Sequence, residues 1–334
     1  MSLTDAFNSL QTEVNVEDRS DKKARDRRDI FKRAFAPATR PDVERRFASG
    51  SLARGSQIDP IHDVDMVVVF KADAHPDWGL PGDSAENALT EVREQIHEVL
   101  GQSDGSYAKE VRRVDIKNHS LKCFLDDPDA KNAFTVDLVP ALEKDGHLLI
   151  PEKNSRAWVD SDPEYLIDAV ARRHGDWNRF VPLVRVLKRW NKDDGKHMKS
   201  LVVEVLALEH LPEEELRSAA VQRFFTAAAA RIHVDVKDPA GHCGTIQRDL
   251  DKTAAYDVLN EAASWSWKAR LAEEAGDFDN AKCCWRKVFG EIFPEPADGC
   301  PEDPGTGTGL IIPGTVTVPA AIPAPKKIID APQG

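Results

Sequence analysis

The chain has 334 residues, 41% of them hydrophobic and 31% charged, and carries a formal net charge of −12 at pH 7. That length holds one large domain or two lobes with a substantial core. The acidic balance argues against a general nucleic-acid coat or a binder of anionic membranes, while leaving room for a small basic pocket.

No apolar run approaches the ~20 residues of a membrane helix. The opening MSLTDAFNSLQTEV lacks the basic start and apolar core of a signal peptide. Five cysteines at scattered spacings, Cys123, Cys243, Cys283, Cys284 and Cys300, read as free thiols of a reducing, cytoplasmic setting. Residues 5–38 carry dense charge of both signs, which reads as a helix with a solvated, ion-paired face. From 43 to 150 the pattern is mostly strand-like. MVVVF is a short β-branched run, and SLKCFL and FTVDLVPAL run apolar over strand lengths. AENALTEVREQIHEVLG sits among them as an amphipathic helix closed by Gly101. Helical periodicity then takes over from about 160 to 293, with no internal repeat. The remainder, 295–334, is rich in Pro, Gly, Thr and Ala and reads as a flexible tail. The expected organisation is therefore an α+β lobe with an N-terminal helix over 1–155, a helical-bundle lobe over 156–294, and a tail.

The stretch GSLARGSQIDPIHDVDMVVVF, Gly50 to Phe70, sets two aspartates at the head of a strand destined for burial. Successive strand side chains point to opposite faces, so Asp63 and Asp65 share one face while Val64, Met66, Val68 and Phe70 fill the other. Two neighbouring carboxylates repel and resist desolvation. A divalent cation removes both penalties, and Mg²⁺ typically takes one or two carboxylates together with substrate phosphates. Asp137, between Val136 and Leu138, is a third acid inside an apolar run. Three such carboxylates suit two metal ions and in-line phosphoryl transfer; turn caps or arginine pairs are the plainer explanation of the same acids. Gly50 and Ser51 stand thirteen residues before Asp63, where glycine permits close backbone approach to a phosphate and serine adds a hydroxyl. There is no G-x-x-x-x-G-K-[ST] and no G-x-G-x-x-G after a strand, so P-loop and Rossmann readings have no footing.

Gly50-Ser51, the spacer, Asp63-Val64-Asp65 and the later Asp137 resemble the polymerase-β-type nucleotidyltransferase signature. FTVDLVPA resembles the third-carboxylate strand of the bacterial cGAS/DncV-like nucleotidyltransferases, the CD-NTases, and NSRAWVDSDP, LVRVLKRWN, KSLVVEVLALE and WRKVFGEIFP resemble successive landmarks of their helical half. The resemblance spans about residues 40–294 in order. It implies a polymerase-β-like nucleotidyltransferase lobe with a mixed sheet, a helical-bundle lobe, and an active site in the cleft between them. It further implies a cyclic di- or trinucleotide made from ribonucleoside triphosphates as an anti-phage second messenger. On that implication Asp63, Asp65 and Asp137 are catalytic and hold two Mg²⁺ or Mn²⁺ ions, and Gly50 and Ser51 hold the donor phosphates. Lys188 and Ser200 match family residues that reach the triphosphate.

Arg185, Lys188 and Lys192, at i, i+3 and i+7, would form a cationic stripe on one helix face, opposite Val184, Leu187 and Trp190. A solvated basic face and an ordinary helix cap are the plainer accounts of Lys188 and Ser200. Zinc at His242, Cys243, Cys283 and Cys284 is disfavoured, since no C-x₂-C is present and Cys283 and Cys284 lie on an amphipathic helix. A nucleotidyltransferase that modifies RNA or protein is the competing expectation, with a degenerate binding scaffold behind it; the acidic charge weighs against a nucleic-acid partner. Finally, some CD-NTases end in a small residue that ubiquitin-transfer-like enzymes conjugate to targets, and the terminal Gly334 fits that role.

Overall fold

The computed structural model describes residues 1–101, 110–301 and 304. Among these the elements run in chain order α1 (Leu3–Val14), α2 (Asp18–Ala34), β1 (Val43–Ser49), α3 (Gly50–Ala53), β2 (Asp63–Phe70), α4 (Ser84–Val99), β3 (Arg113–Ile116), β4 (Leu121–Phe124), β5 (Thr135–Lys144), β6 (His147–Glu152), β7 (Ala157–Ser161), α5 (Pro163–Asp176), α6 (Phe180–Asp193), α7 (Ser200–His210), α8 (Arg217–Arg231), α9 (Lys252–Glu274) and α10 (Phe278–Phe289). The class is α+β, with a mixed sheet as expected. The chain divides into two compact units. One comprises Val16–Ala171 with Lys237–Ile246; the other comprises Met1–Asn15, Arg172–Val236 and the described residues from Gln247 on. The sequence-drawn boundaries differ in three ways: the first helix belongs with the helical unit, the division falls after Ala171 rather than after residue 155, and a short segment after Val236 returns to the sheet unit.

In the sheet unit the strands order as β1-β2-β5-β4-β3, with β6 on β5 and β7 on β6. β2 and β5 are parallel, and the other pairs are antiparallel. β5 is long enough to pair with β4 near its start and with β6 near its end. The β5–β6 hairpin closes on Asp145 and Gly146, both at positive φ (49° and 83°). Asp-Gly suits that two-residue turn because both positions demand left-handed backbone.

The period-2 pattern decides the faces. Val64, Met66, Val68 and Phe70 of β2 join Val136, Leu138, Leu142, Leu121 and Cys123 in the main core, closed by Ala24 and Phe31 of α2 and by Leu89, Val92 and Ile96 of α4. Each fully buried residue of this size contributes roughly 1.5–3 kcal/mol. The opposite face has a smaller apolar cluster, Val67, Val69, Ala141, Leu148 and Ile150. It begins beyond the polar heads of β2 and β5. α2 is anchored by Arg27, whose guanidinium donates to both carboxylate oxygens of Asp126 (2.9 and 2.5 Å) and lies over the Phe134 ring.

The helical unit is built on aromatic contacts. Phe7 of α1 meets Trp285 and Phe293 edge-on at 5.1 and 5.2 Å, and Trp190 of α6 meets Phe225 of α8 at 4.8 Å. α1 starts on a capping box, with the Ser2 hydroxyl accepting from the Asp5 N–H and the Asp5 carboxylate accepting from the Ser2 N–H. Asp251 and Asp277 cap α9 and α10 on one side only, accepting from the N–H groups of Ala254 and Asn280. Among the described residues no helix is long and apolar enough to cross a membrane.

The structure corrects the reading of five free thiols. Cys283 of α10 and Cys300 form a disulfide, while Cys123, Cys243 and Cys284 are free. Spacing alone hid this pair because the chain turns back after α10. Arg286 donates to the Phe293 carbonyl at 2.7 Å, and Glu295 lies 3.9 Å from the same guanidinium. Residues 295–300 thus run along α10. Most of the expected tail, Gly334 included, lies outside the described residues.

Candidate active site

Parallel pairing of β2 with β5 sets Asp65 directly opposite Asp137, and Asp63 opposite Thr135. Directly opposed residues share a face, so all three predicted carboxylates emerge on one side of the sheet. The Thr135 N–H donates to the His62 carbonyl at 2.8 Å, which pins the head of β2 to β5. Asp63 is exposed, and Asp65 and Asp137 are half-buried. Behind Asp137, on the core face, burial pushes the Cys123 thiol well above its ordinary pKa, and the Asp137 charge adds to that.

The row continues on both sides. Ser49 of β1 stands opposite Asp65, Lys122 of β4 opposite Asp137, and Asp115 of β3 opposite Lys122. At the ~4.8 Å spacing of neighbouring strands, this makes a polar line across five strands: Ser49, Asp65, Asp137, Lys122, Asp115.

Gly50 closes the β1 end of that line. Its φ is +67°, and a Cβ built there would stand 1.6 Å from Asp65 Oδ2 and 2.6 Å from its Cγ. No side chain fits that gap, so the Gly50 backbone lies directly against the Asp65 carboxylate. Ser51 follows in α3, its carbonyl accepting from the Ser56 N–H at 2.9 Å. Gln57 donates to Asp21 of α2 at 2.8 Å and fixes the segment leading to β2.

Gly50, Ser51, Asp63, Asp65 and Asp137 therefore all lie in the sheet unit; Lys188 and Ser200 belong to the helical unit. Ser200 is half-buried and opens α7, just after Lys199, whose N–H donates to Gln247 Oε1 at 2.8 Å. Lys188 is buried, which sets aside the solvated basic face as its explanation. Its side chain is 4% exposed, with Nζ 3.6 Å from Oε2 of the fully buried Glu204 of α7. Arg185, one turn earlier, donates to Asn15 at 3.1 Å, and Lys192 is exposed. The helical wheel identified the face but not the acid beneath it.

His242 and Cys243 fall in the segment that returns to the sheet unit. The His242 ring stacks on His147 at 4.5 Å, and the Cys243 thiol donates to the Asp160 carbonyl at 3.0 Å. Burial pushes the Cys243 pKa up to about 12, keeping it a thiol. Ser49 and Lys122 were not singled out from the sequence. The available signal was alternation in SLKCFL, where Lys122 falls between two inward residues.

The model of the Second Messenger Oligonucleotide or Dinucleotide Synthetase domain, SMODS, matches residues 1–173. The chain is 24% identical over 285 residues to a probable cyclic nucleotide synthase of Bacillus cereus (strain VD146), covering 75% of this chain and 82% of that one. It is also 24% identical over 280 residues to the cyclic AMP-AMP-AMP synthase of Acinetobacter sp. (strain ATCC 27244 / 9458), covering 75% and 73%. In three dimensions it is similar to CdnC of E. coli MS115-1, solved with ATP, at a TM-score of 0.67 and 17% identity over 88% of this chain and 99% of that one. With more than half of its length matched by that family model, the chain belongs to the SMODS family of bacterial CD-NTases and is a nucleotidyltransferase.

Proposed function

We propose that the protein is a metal-dependent nucleotidyltransferase that joins ribonucleoside triphosphates into a cyclic di- or trinucleotide second messenger, acting in the cytoplasm in defence against phage. The observation that carries the proposal is the alignment of Asp65 with Asp137 on parallel strands, with Asp63 on the same face and the Gly50 backbone against Asp65. Cyclic products are named for both curated relatives, and ATP for the CdnC structure.

The donor set is all carboxylate oxygen, which fits a hard divalent cation such as Mg²⁺ or Mn²⁺. Among the described residues no three His, Cys, Asp or Glu side chains come together as a metal-binding group, so the ions would need water and substrate phosphates for their remaining ligands. Asp63 and Asp65 would hold two ions, with Asp137 sharing one. When bound, the ions offset negative charge on the phosphate oxygens. Gly50 and Ser51 hold the donor phosphates through backbone N–H and hydroxyl, and no Cβ intervenes. Asp137 accepts the proton of the attacking ribose hydroxyl, which approaches the α-phosphorus in line as pyrophosphate departs. Lys188 and Ser200, which match family residues that contact the triphosphate, are proposed as further phosphate ligands.

The test is incubation of the purified protein with labelled ribonucleoside triphosphates and Mg²⁺ or Mn²⁺, followed by phosphatase. A phosphatase-resistant small product supports the proposal. Label transferred to added RNA or protein would support the competing modifying enzyme. Conjugation through Gly334 by ubiquitin-transfer-like enzymes is proposed alongside, and absence of a higher-mass adduct in cells carrying the native operon would remove it.

A further inference from the structure

The polar row has a direction. Gly50, proposed with Ser51 to hold the donor phosphates, abuts Asp65 from the β1 side. In-line displacement places the leaving pyrophosphate and the attacking hydroxyl on opposite sides of the α-phosphorus. With the leaving group toward β1, the attacking nucleotide enters from the side of β5 and β4. Asp137 is the first residue met there, and Lys122 is the next in register.

Lys122 is suited to an anion on that side. It is half-buried, shares the face of the carboxylates, and lies one strand beyond Asp137. Its other neighbour in the row, Asp115, is already served by Arg113 Nε at 3.2 Å and Lys117 Nζ at 3.5 Å. The Asp115 charge therefore does not account for Lys122. A ribose hydroxyl placed at Asp137 carries its own nucleotide's 5′-phosphates away from the donor, and β4 lies in that direction.

We infer that Lys122 binds the 5′-phosphates of the acceptor nucleotide, and so positions the acceptor rather than the donor. The inference rests on the proposed joining of two nucleotides at this site. It assigns Lys122 a positioning role, since the ammonium touches phosphates remote from the reacting hydroxyl.

The test uses the full chain with Mn²⁺ and a non-reacting α,β-methylene nucleoside triphosphate saturating the donor site. Equilibrium binding is then measured for a ribonucleoside 5′-monophosphate, which has no pyrophosphate to lose and cannot act as donor, and for the same ribonucleoside with a free 5′-hydroxyl. Wild type should favour the phosphorylated form by about 10- to 100-fold, the worth of a charge-assisted contact. Lys122→Met should abolish most of that preference, Lys122→Arg should retain it, and neither should change affinity for the donor analogue. Lys122→Gln serves if the Met variant does not melt cooperatively.

Full discrimination in Lys122→Met or Lys122→Gln overturns the inference. So does an equal loss of donor-analogue affinity, or wild type showing no preference for the phosphorylated form. Product formation by wild type is read separately. If wild type binds the phosphorylated nucleotide through Lys122 yet joins nothing, the synthase reading falls and the binding site stands; if it joins nucleotides without discriminating, only the Lys122 inference falls.

Discussion

Gly50→Ala separates backbone strain from damage to the site. The residue sits at φ +67°, and the new methyl would stand 1.6 Å from Asp65 Oδ2. Left-handed backbone costs a non-glycine residue roughly 1–2 kcal/mol. For a chain of this size that lowers the thermal midpoint by about 1–3 °C. The overlap adds to this, because an atom at 1.6 Å cannot be accommodated without moving the Asp65 carboxylate or the α3 backbone. Either movement displaces a proposed metal ligand by more than an ångström, and misplacement of that size costs on the order of 100-fold in rate. Gly146→Ala is the control. Its φ is +83°, but an added Cβ meets nothing within 4 Å, so it carries strain without collision. Thermal melts and product formation should show both variants destabilised, Gly50→Ala the more so, with only Gly50→Ala losing synthesis. Equal melting of the two variants together with wild-type synthesis by Gly50→Ala would refute the close approach of Gly50 to Asp65.

Three further outcomes follow from the packing. Lys188→Met removes a counter-charge from fully buried Glu204 and should cost about 3–5 kcal/mol. Adding Glu204→Leu should restore most of the melting midpoint, and triphosphate affinity measured in that folded double variant then reads the proposed phosphate role of Lys188 without the folding effect. Two Arg27 hydrogen bonds hold the Asp126 carboxyl below its usual range. A depressed carboxylate stabilises above its unfolded pKa of about 3.9 and loses that contribution as pH falls through the lowered folded value. Partly exposed, the pair should be worth no more than about 1 kcal/mol. Asp126→Asn should therefore melt lower than wild type at pH 7, with the gap closing below about pH 4; a constant gap would refute the linkage. Alkylation under non-reducing conditions, followed by peptide mass measurement, should find Cys283 and Cys300 joined and Cys123, Cys243 and Cys284 as thiols; five alkylated cysteines would contradict the bridge.

The parts legible in the sequence were those written in short-range pattern. Alternation along β2 placed Asp63 and Asp65 on one face and Val64, Met66, Val68 and Phe70 in the core, where they are found. The α4 helix needed only its period and its closing glycine. What escaped was decided by partners distant in the chain. Opposition of Asp65 to Asp137, and of Lys122 to Asp137, depends on which strands neighbour β5, and no local pattern encodes that order. The positive φ of Gly50 depends on Asp65 coming to rest beside it. Burial of Lys188 depends on Glu204 in the next helix, and the Cys283–Cys300 bridge depends on the chain turning back after α10. The β5–β6 hairpin was available from Asp145-Gly146 between two strand patterns and went unused.

The most direct test of the account is product formation from labelled ribonucleoside triphosphates by wild type and Asp65→Asn side by side. Wild type should release pyrophosphate and yield a phosphatase-resistant cyclic product only when Mg²⁺ or Mn²⁺ is present. Asp65→Asn should melt at or slightly above the wild-type midpoint, because a repelling charge is gone from the row, and should yield no product. Metal-independent synthesis, or synthesis by Asp65→Asn near the wild-type rate, would contradict the carboxylate row as the catalytic centre.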